Sequence, residues 1–289
     1  MNRKTERKVD LARALSAAVQ AATLVGVLMR RQLAAPKRAF VVTQRDIKLE
    51  LDVRCQKMIE RRLRSAFPDV GSLGEEGIAG DPTAAYRWVV DPIDGTVNFA
   101  YGIPHACVSI ALQSRSSVTA KRRRGSEPGR PSTTYPDGYQ TLVGVIYDPF
   151  CDELWTSTIG QPARLNSKVI HASPRRRLAE AIVCIGLSKS KEHLEATLPL
   201  LNKLAHRVRK IRIMGAGALD LAYVATGRFD AYIERGIRLW DIAAGSLILE
   251  CAGGEVRREP IPGEHAYRIV ASNGRLRASH LGDPPFNSA

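Results

Sequence analysis

The 289-residue sequence has few cysteines and comparatively few acidic side chains. Its five cysteines are odd in number and too widely spaced for a metal-type pair or a disulfide framework: Cys55, Cys107, Cys151, Cys184 and Cys251. A reducing, cytoplasmic environment is therefore expected. The 29 acids face 43 lysines and arginines, a formal charge of +14. This excess suggests nucleic acid, an anionic membrane surface or an anionic substrate as a partner.

Long apolar runs are also missing from the sequence. The most apolar stretch, residues 14–29, is too short to span a bilayer and contains Gln20. Glu6 and Asp10 interrupt the basic start that a signal peptide requires. Apolar residues recur at alternating four- and three-residue steps from Leu11 to Met29, which is the spacing of a helix face that packs on a core. We therefore predict a first structural helix and no association with a membrane.

The positive charge is concentrated in two stretches. Residues 1–40 contain nine lysines and arginines with two acids, and residues 114–140 contain six with two, so the remaining chain is nearly balanced. The second stretch is rich in Ser, Gly, Pro and Arg and separates two strand-like runs, which predicts an extended hairpin-loop insertion. We favour a solvated insertion over a polyanion-binding arm, because short basic runs are common and unspecific.

Strand and helix patterns are mixed along the chain, and 44% hydrophobic residues are enough for a sizeable core. Strand-like runs are found at residues 86–90, 106–112, 141–147, 153–157, 181–185, 231–234 and 268–272. Helical patterns are found from about residue 52 to Pro68 and at about residues 191–207, 217–226 and 240–252. Because helices do not follow strands one by one, the pattern favours layered α/β or α+β packing over a regular doubly wound sheet. We predict one domain over residues 1–289, divided at most into subdomains of about 1–180 and 181–289.

The most informative segment carries two acids at the end of an apolar strand. Pro92 follows Asp91 and is expected to end the strand pairing, and Asp94 lies three residues beyond Asp91. Gly95 permits close backbone approach, and Thr96 can open a short helix. Two converging carboxylates repel each other unless a cation lies between them, and Mg²⁺ prefers such hard oxygen ligands. For this segment alone, a capped turn with an Asp N-cap is about as probable as metal chemistry.

Two further acidic segments strengthen the metal interpretation. Glu75 and Glu76 lie in a glycine-flanked loop just before this strand, and Asp241 stands where a helix with small residues begins. Taken singly, the first resembles an exposed turn and the second an N-cap. All three segments in this order are a much stronger signal for a metal site than any one of them alone. None of the six histidines falls in these segments.

With these residues, the sequence resembles the inositol monophosphatase family of Mg²⁺-dependent, lithium-sensitive phosphomonoesterases. The matching runs are Gly74-Glu75-Glu76, Asp91-Pro92-Ile93-Asp94-Gly95-Thr96 and Trp240-Asp241-Ile242-Ala243-Ala244-Gly245. The resemblance extends from the first helix to about Ala271. It implies a catalytic domain built as a layered αβαβα sandwich, usually a homodimer.

The resemblance also implies two or three Mg²⁺ ions. Glu75, Asp91 and the backbone carbonyl of Ile93 are expected to hold the first ion. Asp91, Asp94 and Asp241 are expected to hold the second, and a third, weaker ion is expected near Glu75. A water molecule activated at these metals then attacks the phosphorus in line, without a phosphoenzyme.

Catalytic and substrate-binding roles follow from the same resemblance. Thr96 is expected to orient the attacking water while its hydroxyl donates to Asp52, so Thr96, Asp52 and Glu75 are the expected catalytic residues. The backbone N–H groups of Gly95 and Thr96 are expected to bind the phosphate, with Asp94 also contacting the substrate. The alcohol side is expected to be lined by Gly215, Ala216, Gly217 and Glu234.

Two departures from the family pattern concern the segment before the second helix. The family usually has Thr-x-x-Asp there, whereas this chain has Leu49 three residues before Asp52. The family loop that often brings a Lys toward the metals corresponds to about residues 37–48. Lys37, Arg45 and Lys48 all remain candidates for that role.

The substrate is suggested by the residues that follow Thr96. Asn98 and Phe99 form a pair typical of inositol monophosphatase-like enzymes, some of which also hydrolyse fructose 1,6-bisphosphate. We therefore expect hydrolysis of a sugar or polyol phosphate, with myo-inositol 1-phosphate the best single candidate. The alternatives are fructose-1,6-bisphosphatase activity, 3′(2′),5′-bisphosphate nucleotidase activity, and a non-catalytic basic relative that binds nucleic acid. Nucleic acid is not the favoured partner.

Overall fold

The computed structural model describes residues 9–44, 46–81, 83–115, 135–276 and 281. The helices within these ranges are α1 (Leu11–Gln32), α2 (Glu50–Ala66), α3 (Thr96–Ala100), α4 (Lys191–Ala205), α5 (Gly217–Ala225) and α6 (Leu239–Cys251). The first ten strands are β1 (Ala39–Val42), β2 (Ile47–Leu49), β3 (Gly71–Gly74), β4 (Gly77–Ala79), β5 (Tyr86–Asp94), β6 (Cys107–Arg115), β7 (Tyr139–Asp148), β8 (Glu153–Thr158), β9 (Arg164–Leu165) and β10 (Lys168–Val169). The last five are β11 (Ile182–Ile185), β12 (Lys210–Arg212), β13 (Ala231–Arg238), β14 (Glu255–Pro260) and β15 (Ala266–Ser272).

Two sheets organise the described part of the chain. The larger has eight strands in the order β10-β9-β8-β7-β6-β5-β3-β4, and all its pairs are antiparallel except β3 with β5. The smaller has five strands in the order β12-β11-β13-β15-β14, with β11 parallel to both of its neighbours. A short hairpin of β1 and β2 stands apart from both sheets.

Helices cover the outer face of each sheet and fill the space between the two sheets. The apolar face of α1, including Ala18 and Val25, packs with α2 against Trp88 and Val90 on one face of the larger sheet. Val89, whose side chain points to the opposite face, belongs to the cluster that α5 and α6 fill between the two sheets. Leu204 of α4 packs on the outer face of the smaller sheet. The layers therefore run α, β, α, β, α, which confirms the expected α+β sandwich.

The first helix is longer than the predicted apolar run. With 22 residues, α1 is long and apolar enough by length and composition to cross a membrane, so the expectation that it is too short was wrong. Eight of its residues are buried in the protein, from Ala14 to Met29. This burial agrees with the packed helix face that the spacing of apolar residues predicted. Asp10 caps its N-terminus by accepting from the N–H groups of Ala12 and Arg13.

The structure corrects the predicted end of the strand that carries the first acids. Pro92 does not end the pairing: β5 continues to Asp94, which pairs with Cys107 beyond an irregularity in the register. A β-bulge absorbs the residue that cannot donate a hydrogen bond. Strands β6 and β7 pair with each other as predicted, but residues 116–134 of the loop between them lie outside the described residues.

Candidate active site

Three acidic side chains from separate elements meet between the two sheets. Asp91 and Asp94 come from the bulged end of β5, and Asp241 is the third residue of α6. Each offers a carboxylate oxygen, and these three oxygens lie within 4.8 Å of one another. The tertiary fold thus brings together acids that are about 150 residues apart in sequence.

Local hydrogen bonds hold the β5 turn in shape. The Asp91 Oδ1 atom accepts from the backbone N–H of Ile93 at 3.0 Å. Gly95 adopts a φ of +88°, and a Cβ at that position would lie 2.9 Å from the carbonyl oxygen of His105. Only glycine fits there without strain, so the turn can present Thr96 at the start of α3.

Backbone donors of neighbouring helices fix the other two carboxylates. Asp94 Oδ2 accepts from the N–H of Ala218, in the first turn of α5, at 2.8 Å. Asp241 Oδ2 accepts from the N–H of Arg238 at 2.9 Å, just before α6 begins. Neither residue is the N-cap of its own segment, since Gly95 caps α3 and Arg238 caps α6. Their remaining carboxylate oxygens are available to the cluster.

Glu75 joins this cluster from the end of β3. Burial and, next, the negative charge of Asp241 raise the pKa of Glu75 to about 8. Burial and the charge of Asp241 likewise raise the pKa of Asp94 to about 8. The pKa of Asp91 is raised well above its usual range by burial and by the charges of Glu75 and Asp94.

In such a cluster the ionised carboxylates are destabilised when they are alone, whereas a cation bound among them is stabilised. Burial and mutual repulsion both disfavour the ionised acids, and a divalent cation reverses both effects by supplying positive charge. The donor set consists of hard oxygen atoms, which suits Mg²⁺ better than a softer metal. The residues present therefore fit the group that the family resemblance implies.

Asp52 lies outside this cavity and does not accept from Thr96. The Thr96 hydroxyl instead donates to the carbonyl oxygen of Ile93 at 2.9 Å, which corrects the expected bond to Asp52. Asp52 Oδ2 accepts from the N–H of Leu49 at 2.9 Å, and Asp52 Oδ1 is buried without a partner among the described residues. The reason is local: Asp52 is the third residue of α2, so its carboxylate turns back onto the helix's own N-terminus.

A cavity of about 300 Å³ opens beside the acidic cluster. Every predicted site residue except Asp52 lies in its wall: Glu75, Asp91, Ile93, Asp94, Gly95, Thr96, Gly215, Ala216, Gly217, Glu234 and Asp241. Glu234 accepts from the Tyr232 hydroxyl at 2.5 Å, and burial raises its pKa to about 7. Asn98, used above as a marker of the substrate, donates to the carbonyl oxygens of His105 and Met214 and so holds α3 against the Gly215 turn.

Sequence reasoning missed the lysine that reaches this cavity. Lys189, between β11 and α4, lies in the wall, and its Nζ atom is 2.6 Å from Asp46 Oδ1. Of the earlier candidates, Lys37 donates to the carbonyls of Leu33 and Ala35 outside the cavity, and Lys48 lies 3.4 Å from Glu76. Arg45 lies outside the described residues. The usable signal was topological, because Lys189 follows the carboxyl end of a parallel strand, where α/β proteins bind ligands.

Nearly the whole chain matches known proteins. The model of the Inositol monophosphatase family matches residues 10–120 and 137–280. The chain is 36% identical to the Nus factor SuhB of Xylella fastidiosa over 247 residues, which cover 84% of this chain and 81% of that protein. It is 33% identical to Inositol monophosphatase 1 of Solanum lycopersicum over 285 residues, which cover 95% and 96% of the two proteins.

Solved structures extend this likeness to the fold. The extragenic suppressor protein suhB of Bartonella henselae superposes with a TM-score of 0.78 at 32% identity, covering 92% of this chain and 96% of that one. The inositol monophosphatase of Anabaena superposes with a TM-score of 0.75 at 30% identity, covering 95% and 94% of the two chains. Both sheets and the intervening helices are therefore shared with proteins of this kind.

Proposed function

Because this chain belongs to the inositol monophosphatase family and is therefore a phosphomonoesterase, we propose that it hydrolyses a sugar or polyol monophosphate with the help of Mg²⁺. The best single candidate for the substrate is myo-inositol 1-phosphate. The observation that carries this proposal is the convergence of Asp91, Asp94 and Asp241 within 4.8 Å at the wall of the cavity. The relative named Inositol monophosphatase 1 supports it, since it matches 95% of this chain.

The acids are the proposed ligands of two or three Mg²⁺ ions. Glu75, Asp91 and the carbonyl of Ile93 hold the first ion in this scheme, and Asp91, Asp94 and Asp241 hold the second. When bound, Mg²⁺ supplies the positive charge that lowers the pKa of water and stabilises the leaving oxygen. The buried carboxylates then remain ionised, because the cations remove the repulsion that raises their pKa values.

The protein's own groups position the reactants around those ions. The Thr96 hydroxyl donates to the Ile93 carbonyl, and this bond fixes the direction of the lone pairs on the Thr96 oxygen. In this scheme the same oxygen accepts a hydrogen bond from the attacking water. The N–H groups of Gly95 and Thr96 bind the phosphate oxygens. Glu234 faces the alcohol side, where it accepts hydrogen bonds from substrate hydroxyls. The turn between residues 215 and 217 closes that side of the cavity.

A panel of phosphate esters with Mg²⁺ tests the substrate class. The wild type is expected to release phosphate from myo-inositol 1-phosphate with a higher kcat/KM than from a nucleoside 3′(2′),5′-bisphosphate. Preference for the nucleotide by orders of magnitude would overturn the assignment. Manganese anomalous scattering from a crystal tests the ligands, and two peaks in contact with the acidic cluster are expected.

A second candidate, binding to nucleic acid without catalysis, rests on the +14 charge and on the relatives named Nus factor SuhB. The complete set of acids in the cavity argues against loss of catalysis. Absence of Mg²⁺-dependent phosphate release together with RNA binding of steep salt dependence would favour this candidate. The expected homodimer and cytoplasmic location stay predictions.

A further inference from the structure

Glu234, in the wall of the cavity, is held by one buried hydroxyl group. Tyr232 and Glu234 lie two residues apart on β13, so their side chains point to the same face of the smaller sheet. The fully buried Tyr232 donates its hydroxyl hydrogen to Glu234 Oε2 at 2.5 Å. Among the described residues no other group donates to the Glu234 carboxylate, and its Oε1 atom is not enclosed. One carboxylate oxygen is therefore fixed, while the other is open to the cavity.

Two glycines make room for this pair of side chains. A Cβ on Gly186, directly after β11, would collide with Glu234 Oε2. A Cβ on Gly217, the first residue of α5, would lie 2.9 Å from the Tyr232 hydroxyl oxygen. The backbone at both positions thus packs directly against the hydrogen bond, which leaves the two bonded oxygens little freedom to move.

The Tyr232 hydroxyl remains a donor because its surroundings oppose ionisation. Burial, followed by the charges of Glu234 and Asp220, raises the pKa of Tyr232 well above its usual range. Asp220 is buried as well, and its Oδ1 atom has no partner among the described residues. Asp220 therefore adds a second acid beside the pair and not a second donor for Glu234.

We infer that Tyr232 is a positioning residue, which fixes Glu234 Oε2 so that Oε1 accepts a hydrogen bond from a substrate hydroxyl beside the ester. This inference rests on the proposed function, because it takes Glu234 to face the alcohol of a phosphate ester held at the acidic cluster. An acceptor that is fixed in advance selects an alcohol that carries hydroxyl groups over an alcohol of similar shape that lacks them. Tyr232 thus contributes to specificity without touching the substrate.

Two esters of the same ring separate this role from catalysis. Both myo-inositol 1-phosphate and cyclohexyl phosphate are secondary esters of a six-membered carbon ring, and cyclohexyl phosphate has no hydroxyl groups on that ring. We expect Tyr232→Phe to lower the ratio of kcat/KM for the inositol ester to kcat/KM for the cyclohexyl ester. The expected decrease is about tenfold, through KM of the inositol ester, as for the loss of one hydrogen bond to a charged group. A partly unfolded preparation lowers both rates alike, so it does not change this ratio.

Two further variants complete the comparison. Tyr139→Phe is the matched control, since it removes another buried tyrosine hydroxyl, which donates to the Ala84 carbonyl outside the cavity wall. It should leave the ratio at the wild-type value. Glu234→Ala has no carboxylate to position, so adding Tyr232→Phe to it should lower the ratio no further. An unchanged ratio in Tyr232→Phe alone, or a loss that adds to that of Glu234→Ala, would overturn the inference.

Crystal structures of the wild type and of Tyr232→Phe provide a readout apart from turnover. Without the hydroxyl, Glu234 Oε2 has no donor, so the carboxylate should turn toward Lys189, the cation in the same cavity wall. A Glu234 side chain that keeps its wild-type position in the variant would refute the inference, whether or not either ester is hydrolysed. If the wild type releases phosphate from neither ester while Glu234 is displaced in the variant, the proposed function fails and the positioning role of Tyr232 is supported.

Discussion

Removing one charge from the acidic cluster should stabilise the metal-free protein. In the folded state the pKa of Asp94 is raised from 3.8 to about 8 by burial and by the charge of Asp241. The unfolded chain ionises this carboxyl near pH 4, so the fold loses stability as pH rises from about 4 to about 8. The amide side chain in Asp94→Asn does not ionise, so it adds no negative charge to the cluster at any pH. Its oxygen can still accept from the N–H of Ala218.

The size of the effect follows from the pKa difference. A difference of about four units corresponds to at most about 6 kcal/mol at pH 8. Several acids divide this repulsion among them and can share bound protons, so the gain from one substitution is smaller. We expect Asp94→Asn to be about 2 kcal/mol more stable than the wild type at pH 8, with the gain falling toward zero at pH 4.

Urea unfolding with EDTA, at several pH values, measures this gain. Asp69→Asn serves as the control, because Asp69 is exposed and its substitution should change the free energy of unfolding by less than about 0.5 kcal/mol. Added Mg²⁺ should stabilise the wild type far more than Asp94→Asn, since it binds the folded state through the acids. A variant that is less stable than the wild type at pH 8, or a gain that does not change with pH, would refute the reasoning.

Three further predictions concern residues around the cavity or far from it. Gly95→Ala forces a Cβ to within 2.9 Å of the His105 carbonyl at a positive φ, so it should lower stability by about 2 kcal/mol and reduce phosphate release; thermal unfolding and kcat test this. Asp230→Ala leaves the buried Ser173 hydroxyl and the Ile182 N–H without their acceptor and breaks the ion pair with Arg175, so it should cost about 3 kcal/mol in urea unfolding with kcat unchanged. Deletion of residues 121–130 should leave the maximal rate largely intact, and a collapse of that rate in a folded deletion variant would place the loop at the site.

The layered fold could be predicted because apolar residues in its helices and strands recur at regular spacings in the sequence. The acids of the site could be predicted because they occur in pairs or in short motifs. The helix face from Leu11 to Met29 is buried as its spacing indicates. The acids of the three motifs meet in one cavity because each follows a strand end or starts a helix at the centre of the sandwich. Asp52 shows where the resemblance fails, since as the third residue of α2 its carboxylate accepts from the Leu49 N–H rather than from Thr96.

Features that depend on three-dimensional context were not predictable. The bulge that carries β5 through Pro92 depends on pairing with Cys107, a tertiary partner. The short strands β9, β10 and β12 have too few residues to show an alternating pattern. Lys189 lies in a stretch without any motif, and only the parallel pairing of β11 with β13 brings it to the cavity.

Phosphate release as a function of Mg²⁺ concentration tests the central claim most directly. With myo-inositol 1-phosphate as the substrate, the wild type and the Asp69→Asn control should show the same saturating dependence on Mg²⁺. Asp94→Asn, although folded and more stable without metal, should release no phosphate above background at any Mg²⁺ concentration. Phosphate release by Asp94→Asn at the wild-type rate, or release by the wild type that continues in EDTA, would contradict the account.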